Sequence, residues 1–305
     1  MSVDGFLIIN KPMGYTSHQV VVEIRKILHE RRVGHTGTLD PMATGVLVIA
    51  VGSSTRLISF LNEEKKLYRA KLVLGLTTDT QDLTGRVLSA KPETAVDPGI
   101  IRAALSRFSG EQEQIPPMYS AIKVQGQPLY KLARAGKEIP REKRKITIFR
   151  LELEDDLLPV YGFKEGPHLV IECSRGTYIR TLCHEIGKYL SCGGCMGELI
   201  RLASGPFFLQ KALTLDQLQQ TVKSRGVTEL LIPPGVALEH LPMILLDQDQ
   251  EKKVSHGQRL NVNILGAPLP EHKFIRGMTV DGRLLAILKY VGGSNPYWQP
   301  VRVLN

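Results

Sequence analysis

Residues 34–51 read Gly-His-Thr-Gly-Thr-Leu-Asp-Pro-Met-Ala-Thr-Gly-Val-Leu-Val-Ile-Ala-Val. The end of this stretch, Val46 to Val51, is short, continuous and rich in β-branched residues, the pattern of a buried strand. The start is a glycine-bracketed loop. Gly34, Gly37 and Gly45 allow backbone geometries and close approaches that a side chain would block. Within it lie His35 and a lone carboxylate, Asp40. An acid on a loop beside a rigid strand is a common way to present a reactive group. Asp40-Pro41 suits a turn or a helix cap equally well, and the stretch alone does not separate these readings.

Working outward, residues 6–9 read as a strand ended by Lys11-Pro12. Ser17 is placed to cap a helix in which Val20, Val21, Ile24, Ile27 and Leu28 recur at helical spacing, with Arg25, Lys26, Arg31 and Arg32 clustered near its end. A short helix is expected over 55–61, a strand over 67–74 and a polar turn over 77–85. Asp97-Pro98 starts a helix with Ile100, Ala104, Leu105 and Phe108 on its apolar face. Strands follow over 146–153 and 168–173, and a helix over 177–190. Pro233-Pro234-Gly235 and Leu241-Pro242 mark a boundary near residue 240, so the expected domains are 1–240 and 241–305. In the tail, Asp281-Gly282 reads as a hairpin turn and 301–304 as a closing strand. Strands mixed with helices, without regular alternation, predict an α+β fold rather than a doubly wound one.

Lys and Arg number 39 against 30 acids, a net charge of +9 that favours polyanionic partners. Residues 111–145 concentrate this charge in Lys123, Lys131, Arg134, Lys137, Arg141, Lys143, Arg144 and Lys145, as expected of an arm that closes over phosphates. A single Trp argues against a single-strand binder built on base stacking. No apolar run approaches the roughly 18 residues of a membrane span, so no membrane partner is expected. The first ten residues lack the basic start of a secretory signal, which predicts a cytoplasmic protein with reduced thiols at Cys173, Cys183, Cys192 and Cys195. Cys192-Gly-Gly-Cys195, with Cys183-His184 upstream, fits no standard zinc finger, so no metal is expected. No Walker loop or dinucleotide fingerprint is present, and no cofactor is expected.

Five separated segments carry a resemblance. They are Gly5-Phe-Leu-Ile-Ile-Asn-Lys-Pro-Met-Gly-Tyr-Thr-Ser17, Gly34 to Leu47, Lys66-Leu-Tyr-Arg-Ala70, Pro116-Pro-Met-Tyr-Ser-Ala-Ile-Lys123 and Cys173-Ser-Arg-Gly-Thr-Tyr-Ile-Arg-Thr-Leu182. In this order and spacing they resemble the TruB family of tRNA pseudouridine synthases, over the chain up to about residue 207. The tail is similar to the small PUA-like RNA-binding barrel of bacterial members. The resemblance implies a mainly antiparallel mixed sheet of pseudouridine synthase type followed by that barrel. It implies isomerisation of one uridine, position 55 by tRNA convention, in the T-stem-loop of tRNA, with no cofactor, no guide RNA and a monomeric enzyme.

The resemblance also implies roles. Asp40 matches the catalytic carboxylate, expected to act as nucleophile; attack at ribose C1′, attack at uracil C6 and charge stabilisation of a departing glycal all remain open. Arg180 matches its arginine partner, and Tyr68 the active-site tyrosine, able to stack on uracil or take part in proton transfer. Tyr178 and Leu199 fall where members line the uracil pocket, although Leu199-Ile200-Arg201-Leu202 departs from the usual Leu-Arg-Arg-Thr. His35 matches the histidine that fills the space of the extruded base. Lys11 and the arm, with Lys123, Lys143 and Arg144, are expected to hold phosphates. The competing reading is an RNA-binding or tRNA-folding protein with secondary or no catalysis, for which a carboxylate in a polyanion site has no use.

Overall fold

The computed structural model describes residues 3–120, 122–124, 126–262 and 273–304; Ala121 of the fourth segment quoted above and residues 263–272 of the tail lie outside the described residues. A nine-stranded mixed sheet organises the larger part of the chain. Seven strands follow in the order Gly5–Lys11, Thr44–Val51, Gly194–Ser204, Lys65–Leu74, His168–Ser174, Arg144–Leu153 and Gly110–Gln114, with Val33–His35 and Phe207–Phe208 paired off this path. One pairing, between Thr44–Val51 and Gly194–Ser204, is parallel; the others are antiparallel.

The sheet explains the opening stretch. Leu47, Ile49 and Val51 pack with Leu7 and Ile9 against the Ser17–Leu28 and Leu215–Arg225 helices, through Val20, Val21, Ile24 and Leu218. Val46, Val48 and Ala50 face the other way, against Phe6, Ile8 and the tail residues Met278, Leu284 and Ile287. Consecutive apolar residues are required because both faces of the strand are covered. At the far end of the sheet, the Pro98–Arg107 and Ile179–Tyr189 helices bury Ile101, Leu105, Leu182 and Ile186 against Leu72, Ile148, Leu169 and Ile171. In the tail, Met243–Leu245, Phe274–Met278, Leu284–Val291, Tyr297–Val303 and Leu260–Asn261 form a five-stranded half-barrel around Trp298, Leu246 and Leu288.

Several expected boundaries move. Thr16, not Ser17, caps the first helix, in a reciprocal box with Gln19, because the Ser17 hydroxyl is engaged elsewhere. The 55–61 helix is a 3₁₀ helix, Gly52–Phe60. The 177–190 helix begins at Ile179. The expected closing strand extends back to Tyr297. The basic arm shortens to 115–143, since its two ends, Gly110–Gln114 and Arg144–Leu153, pair with each other as sheet strands.

Candidate active site

Asp40 follows the Val33–His35 strand and precedes the Thr44–Val51 strand, on a loop anchored from one side by the N-terminal segment. The Ser17 hydroxyl accepts from Leu39 N at 2.9 Å and donates to Leu39 O at 3.2 Å. Gly14 N donates to Pro41 O at 2.8 Å. Lys11 is fully buried, and its ammonium donates to Pro12 O (2.9 Å), Tyr15 O (2.6 Å) and Pro41 O (3.2 Å). This corrects the expectation that Lys11 holds phosphate: three carbonyls occupy its three donors, and it fastens the loop instead. Burial lowers the Lys11 pKa to about 8, with Asp40 pulling the other way. Gly45 stands where the chain leaves the loop, at φ +101°; a Cβ there would come 2.3 Å from the Arg201 carbonyl oxygen, so the parallel pairing needs glycine.

The Asp40 carboxylate meets Arg180 in a two-point pair, Nε to Oδ2 at 2.9 Å and Nη2 to Oδ1 at 3.1 Å. Arg180 is 5 % exposed at its side chain, whereas Asp40 keeps 32 %. The arginine is held from behind. Nη1 donates to Thr80 O at 3.2 Å and lies 3.7 Å from Asp82 Oδ2, and Nη2 also donates to Tyr119 O at 2.8 Å. Asp82 is fixed in turn by Thr80 Oγ1, Thr84 N and Thr84 Oγ1. Loss of solvation raises the Asp40 pKa, Arg180 opposes this, and the nearby Asp82 charge adds to the rise.

Tyr68 and Leu199 are buried in one cluster with Leu39, on the neighbouring strands Lys65–Leu74 and Gly194–Ser204. Burial pushes the Tyr68 phenol up to about 12, against the pull of the nearby Arg201 charge; the hydroxyl therefore stays protonated at neutral pH. Tyr178 caps the Ile179–Tyr189 helix, with its backbone clamped by Gln114: its N donates to Oε1 at 2.8 Å and its O accepts from Nε2 at 3.1 Å. The phenols of Tyr68 and Tyr178 both feel the Asp40 charge. His35 Nδ1 is buried without a hydrogen-bond partner among the described residues, and burial with Arg201 nearby lowers its pKa, which keeps the ring neutral. A neutral flat ring with an unused nitrogen suits a place vacated by a base. The arrangement as a whole offers an ionisable carboxylate backed by a buried cation, two phenols and an apolar wall, a set able to add to or stabilise an electron-poor sugar or pyrimidine carbon.

A family model described as TruB family pseudouridylate synthase (N-terminal domain) matches residues 25–179, just over half of the chain. The chain belongs to the TruB family. The model of the tRNA pseudouridylate synthase B C-terminal domain matches residues 180–239. Among curated relatives, tRNA pseudouridine synthase B of Geobacter sulfurreducens is 46 % identical over 255 residues, covering 84 % of this chain and 82 % of that protein. The protein of the same name from Bacillus subtilis is 40 % identical over 303 residues, covering 99 % and 98 %. A solved chain of a Cbf5–Nop10–Gar1 complex is 28 % identical with a TM-score of 0.73, covering 99 % of this chain and 84 % of that one. A chain of an H/ACA RNP bound to a substrate RNA containing 2′-deoxyuridine matches at 25 % identity and the same TM-score, covering 99 % and 85 %.

In this TruB-family site the arm residues stand apart. Lys123 and Lys143 are exposed, Lys143 lies 3.2 Å from Glu113, and among the described residues no hydrogen bond or ion pair joins either to the Asp40–Arg180 group. Arg144 is also exposed, at the start of its strand, and its charge reaches Tyr178. Two side chains packed at this site were given no role in the sequence reading. Asp82 sits in the 77–85 turn, where an acid among threonines reads as a local turn former. Arg201 is 1 % exposed; it donates to Val46 O at 2.7 Å and to Gly37 O at 3.1 Å, and its charge acts on the Tyr68 phenol. The signal for it was an arginine inside an otherwise apolar strand. The group closest to a metal site is Glu154, Asp155 and His168. Its groups are already engaged, His168 Nδ1 with Asp155 at 2.5 Å and Glu154 with Arg69.

Proposed function

We propose that this protein isomerises uridine to pseudouridine in tRNA, at position 55 of the T-stem-loop, with Asp40 as the nucleophile. The N1–C1′ bond breaks, the base turns, and C5 bonds to C1′. The proton lost from C5 balances the one gained at N1, so the step needs no oxidant, reductant or co-substrate. The two-point Asp40–Arg180 pair carries the reading: it supplies a carboxylate that is partly open to solvent while its cation is buried and immobile. A target inside a folded loop must leave its stack to reach such a group, at a cost of about a few kcal/mol that pocket contacts offset. Tyr68, Tyr178 and Leu199 are proposed to hold the extruded uracil, and His35 to fill its former place. Residues 1–240 are proposed as the catalytic domain and 241–305 as the PUA-like RNA-binding domain, with Lys123, Lys143 and Arg144 of the arm region on phosphates.

The reading takes the protein to act as a cytoplasmic monomer without guide RNA. The matches support independence from a guide: identity to the proteins named tRNA pseudouridine synthase B is 40–46 %, against 25–28 % to the chains of the H/ACA RNP and the Cbf5–Nop10–Gar1 complex. The test is incubation with an unmodified tRNA transcript followed by chemical mapping of pseudouridine, for the parent and for Asp40→Asn. One product position in the parent and none in the variant is expected, with tRNA affinity retained within about tenfold, or ~1.4 kcal/mol. Tight tRNA binding without product in the parent would leave the protein an RNA binder; equal turnover by the variant would remove Asp40 from the chemistry.

A further inference from the structure

We propose that the groove between the Gly52–Phe60 3₁₀ helix and the Tyr297–Val303 strand is a second phosphate site. It takes backbone phosphates of the tRNA substrate that lie outside the hairpin carrying the target uridine. The proposal rests on the reading that tRNA is the substrate. The groove has a volume of about 710 Å³ and is lined by Thr55, Arg56, Ser59, Val301 and Arg302, among others. One wall comes from the main sheet region and the other from the tail.

Two features make it an anion site. The first is charge without neutralisation. Neither Arg56 nor Arg302 makes an ion pair among the described residues, and the Arg56 guanidinium makes no hydrogen bond there. The second is preorganisation. Arg302 Nε donates to Arg56 O at 3.3 Å, its Nη1 donates to Val301 O at 2.6 Å, and its guanidinium lies 6.0 Å from the centre of the Phe60 ring. These contacts fix the planar fork and leave Nη2 without a partner among the described residues. A tethered arginine beside a free one, with the Ser59 hydroxyl between the walls, suits a phosphodiester better than a carboxylate-bearing peptide, because successive phosphates present acceptors along a line.

Position ties the groove to the same RNA. Its Ile58 and Thr55 lie under Gly34: a Cβ there would come 3.5 Å from Ile58 Cδ1 and 3.9 Å from Thr55 Cγ2. Gly34 directly precedes His35 on its strand, so the groove and the proposed base-replacing histidine share one support. Arg31, exposed and without an ion pair among the described residues, extends the positive stripe from the preceding turn, whose Arg32 O accepts from Gly52 N at 2.7 Å. An RNA held at Asp40 and longer than the hairpin would run over this stripe.

The test compares binding of a full-length unmodified tRNA transcript with binding of the isolated hairpin, across a salt series. The variants are Arg56→Glu, which breaks no protein hydrogen bond, and Arg302→Gln beside Arg302→Lys, with thermal melting as the check on tail packing. For Arg56→Glu we expect full-length affinity to fall on the order of tenfold and the log–log salt slope to flatten by about one to two, with hairpin affinity changed less than twofold. Arg302→Lys should keep most of the full-length affinity that Arg302→Gln loses. Equal losses for the hairpin and the full transcript, or no loss for either, would overturn the proposal. Failure of the functional reading shows separately, as an unsubstituted protein that binds the transcript but forms no pseudouridine.

Discussion

Replacing Arg201 by Met should separate fold from chemistry. The side chain is 1 % exposed, donates to Val46 O at 2.7 Å and Gly37 O at 3.1 Å, and lies close enough for its charge to act on the Tyr68 phenol. Methionine fills similar space and donates nothing. Each orphaned carbonyl costs about 1–3 kcal/mol. Part of this is offset, because a buried guanidinium with no ion pair among the described residues is removed with it. A net loss of about 1–3 kcal/mol of stability follows, a drop in Tm of roughly 2–4 °C per kcal/mol for a chain of this size. The rate should suffer more. Gly37 lies three residues before Asp40 and Tyr68 faces the same site, so one substitution frees both the carboxylate loop and the phenol. A displacement of about 1 Å in a reacting group costs on the order of 100-fold. The assay is single-turnover pseudouridine formation at a temperature where the variant is fully folded, alongside tRNA affinity. We expect a rate about 100-fold lower with affinity within about threefold. Arg201→Lys should recover stability without recovering the rate, since a compact ammonium lacks the planar fork that reaches both carbonyls. A folded Arg201→Met protein turning over within threefold of the parent would refute the reasoning, as would a rate loss matched by an equal loss of binding.

Asp40 must be ionised to attack, and burial raises its pKa while Arg180 opposes the rise. Turnover should therefore fall as pH drops through a value above that of a free aspartate, and Arg180→Met should move this acid limb to higher pH; a pH–rate profile shifted the other way contradicts the assignment. Lys11 has its folded pKa lowered to about 8 from 10.5, so the unfolded chain binds the extra proton between these values, and stability should rise with pH across that window. Chemical denaturation at pH 8 and 10.5 tests this, and the rise should shrink in Lys11→Met. Charge reversal of Lys143 and Arg144 together should weaken tRNA binding and flatten its salt dependence; an unaltered slope would show that neither touches phosphate.

The fold was legible wherever one physical requirement acted locally. The run of residues 46–51 announced a buried strand, Asp97-Pro98 a capped helix, and Asp281-Gly282 a tight hairpin, in which Gly282 indeed takes φ +83°. Site residues named from the sequence, Asp40, Arg180, Tyr68 and Leu199, do converge. What stayed hidden depends on distant partners. Lys11 looks like a phosphate ligand in a Lys-Pro turn, and only the fold shows three carbonyls around its ammonium. Ser17 looks like a cap, but its hydroxyl is taken by Leu39, 22 positions away. Asp82 and Arg201 are invisible for the same reason, since their partners lie about a hundred residues or more along the chain.

The charges of this site are sorted by depth, and the sorting is what lets a polyanion approach a carboxylate. Asp40 and Asp82 flank Arg180, and the buried Lys11 ammonium also acts on Asp40, so the charges of the buried group roughly cancel. Asp40 is the member left partly open, so an entering phosphate meets a carboxylate. The cations that can attract RNA, Lys123, Lys143, Arg144 and Arg56, are exposed and make no ion pair with that group among the described residues, and counterion release rewards their contact with the backbone. Uracil carries no charge and pays no such repulsion when it enters. On the proposed function, a backbone held at the rim and a neutral base alone entering to the acid would favour extrusion over bodily insertion of the strand. Asp82 offsets part of the buried positive charge beside Asp40, and Asp82→Asn should make inorganic phosphate a better inhibitor of turnover than it is of the parent.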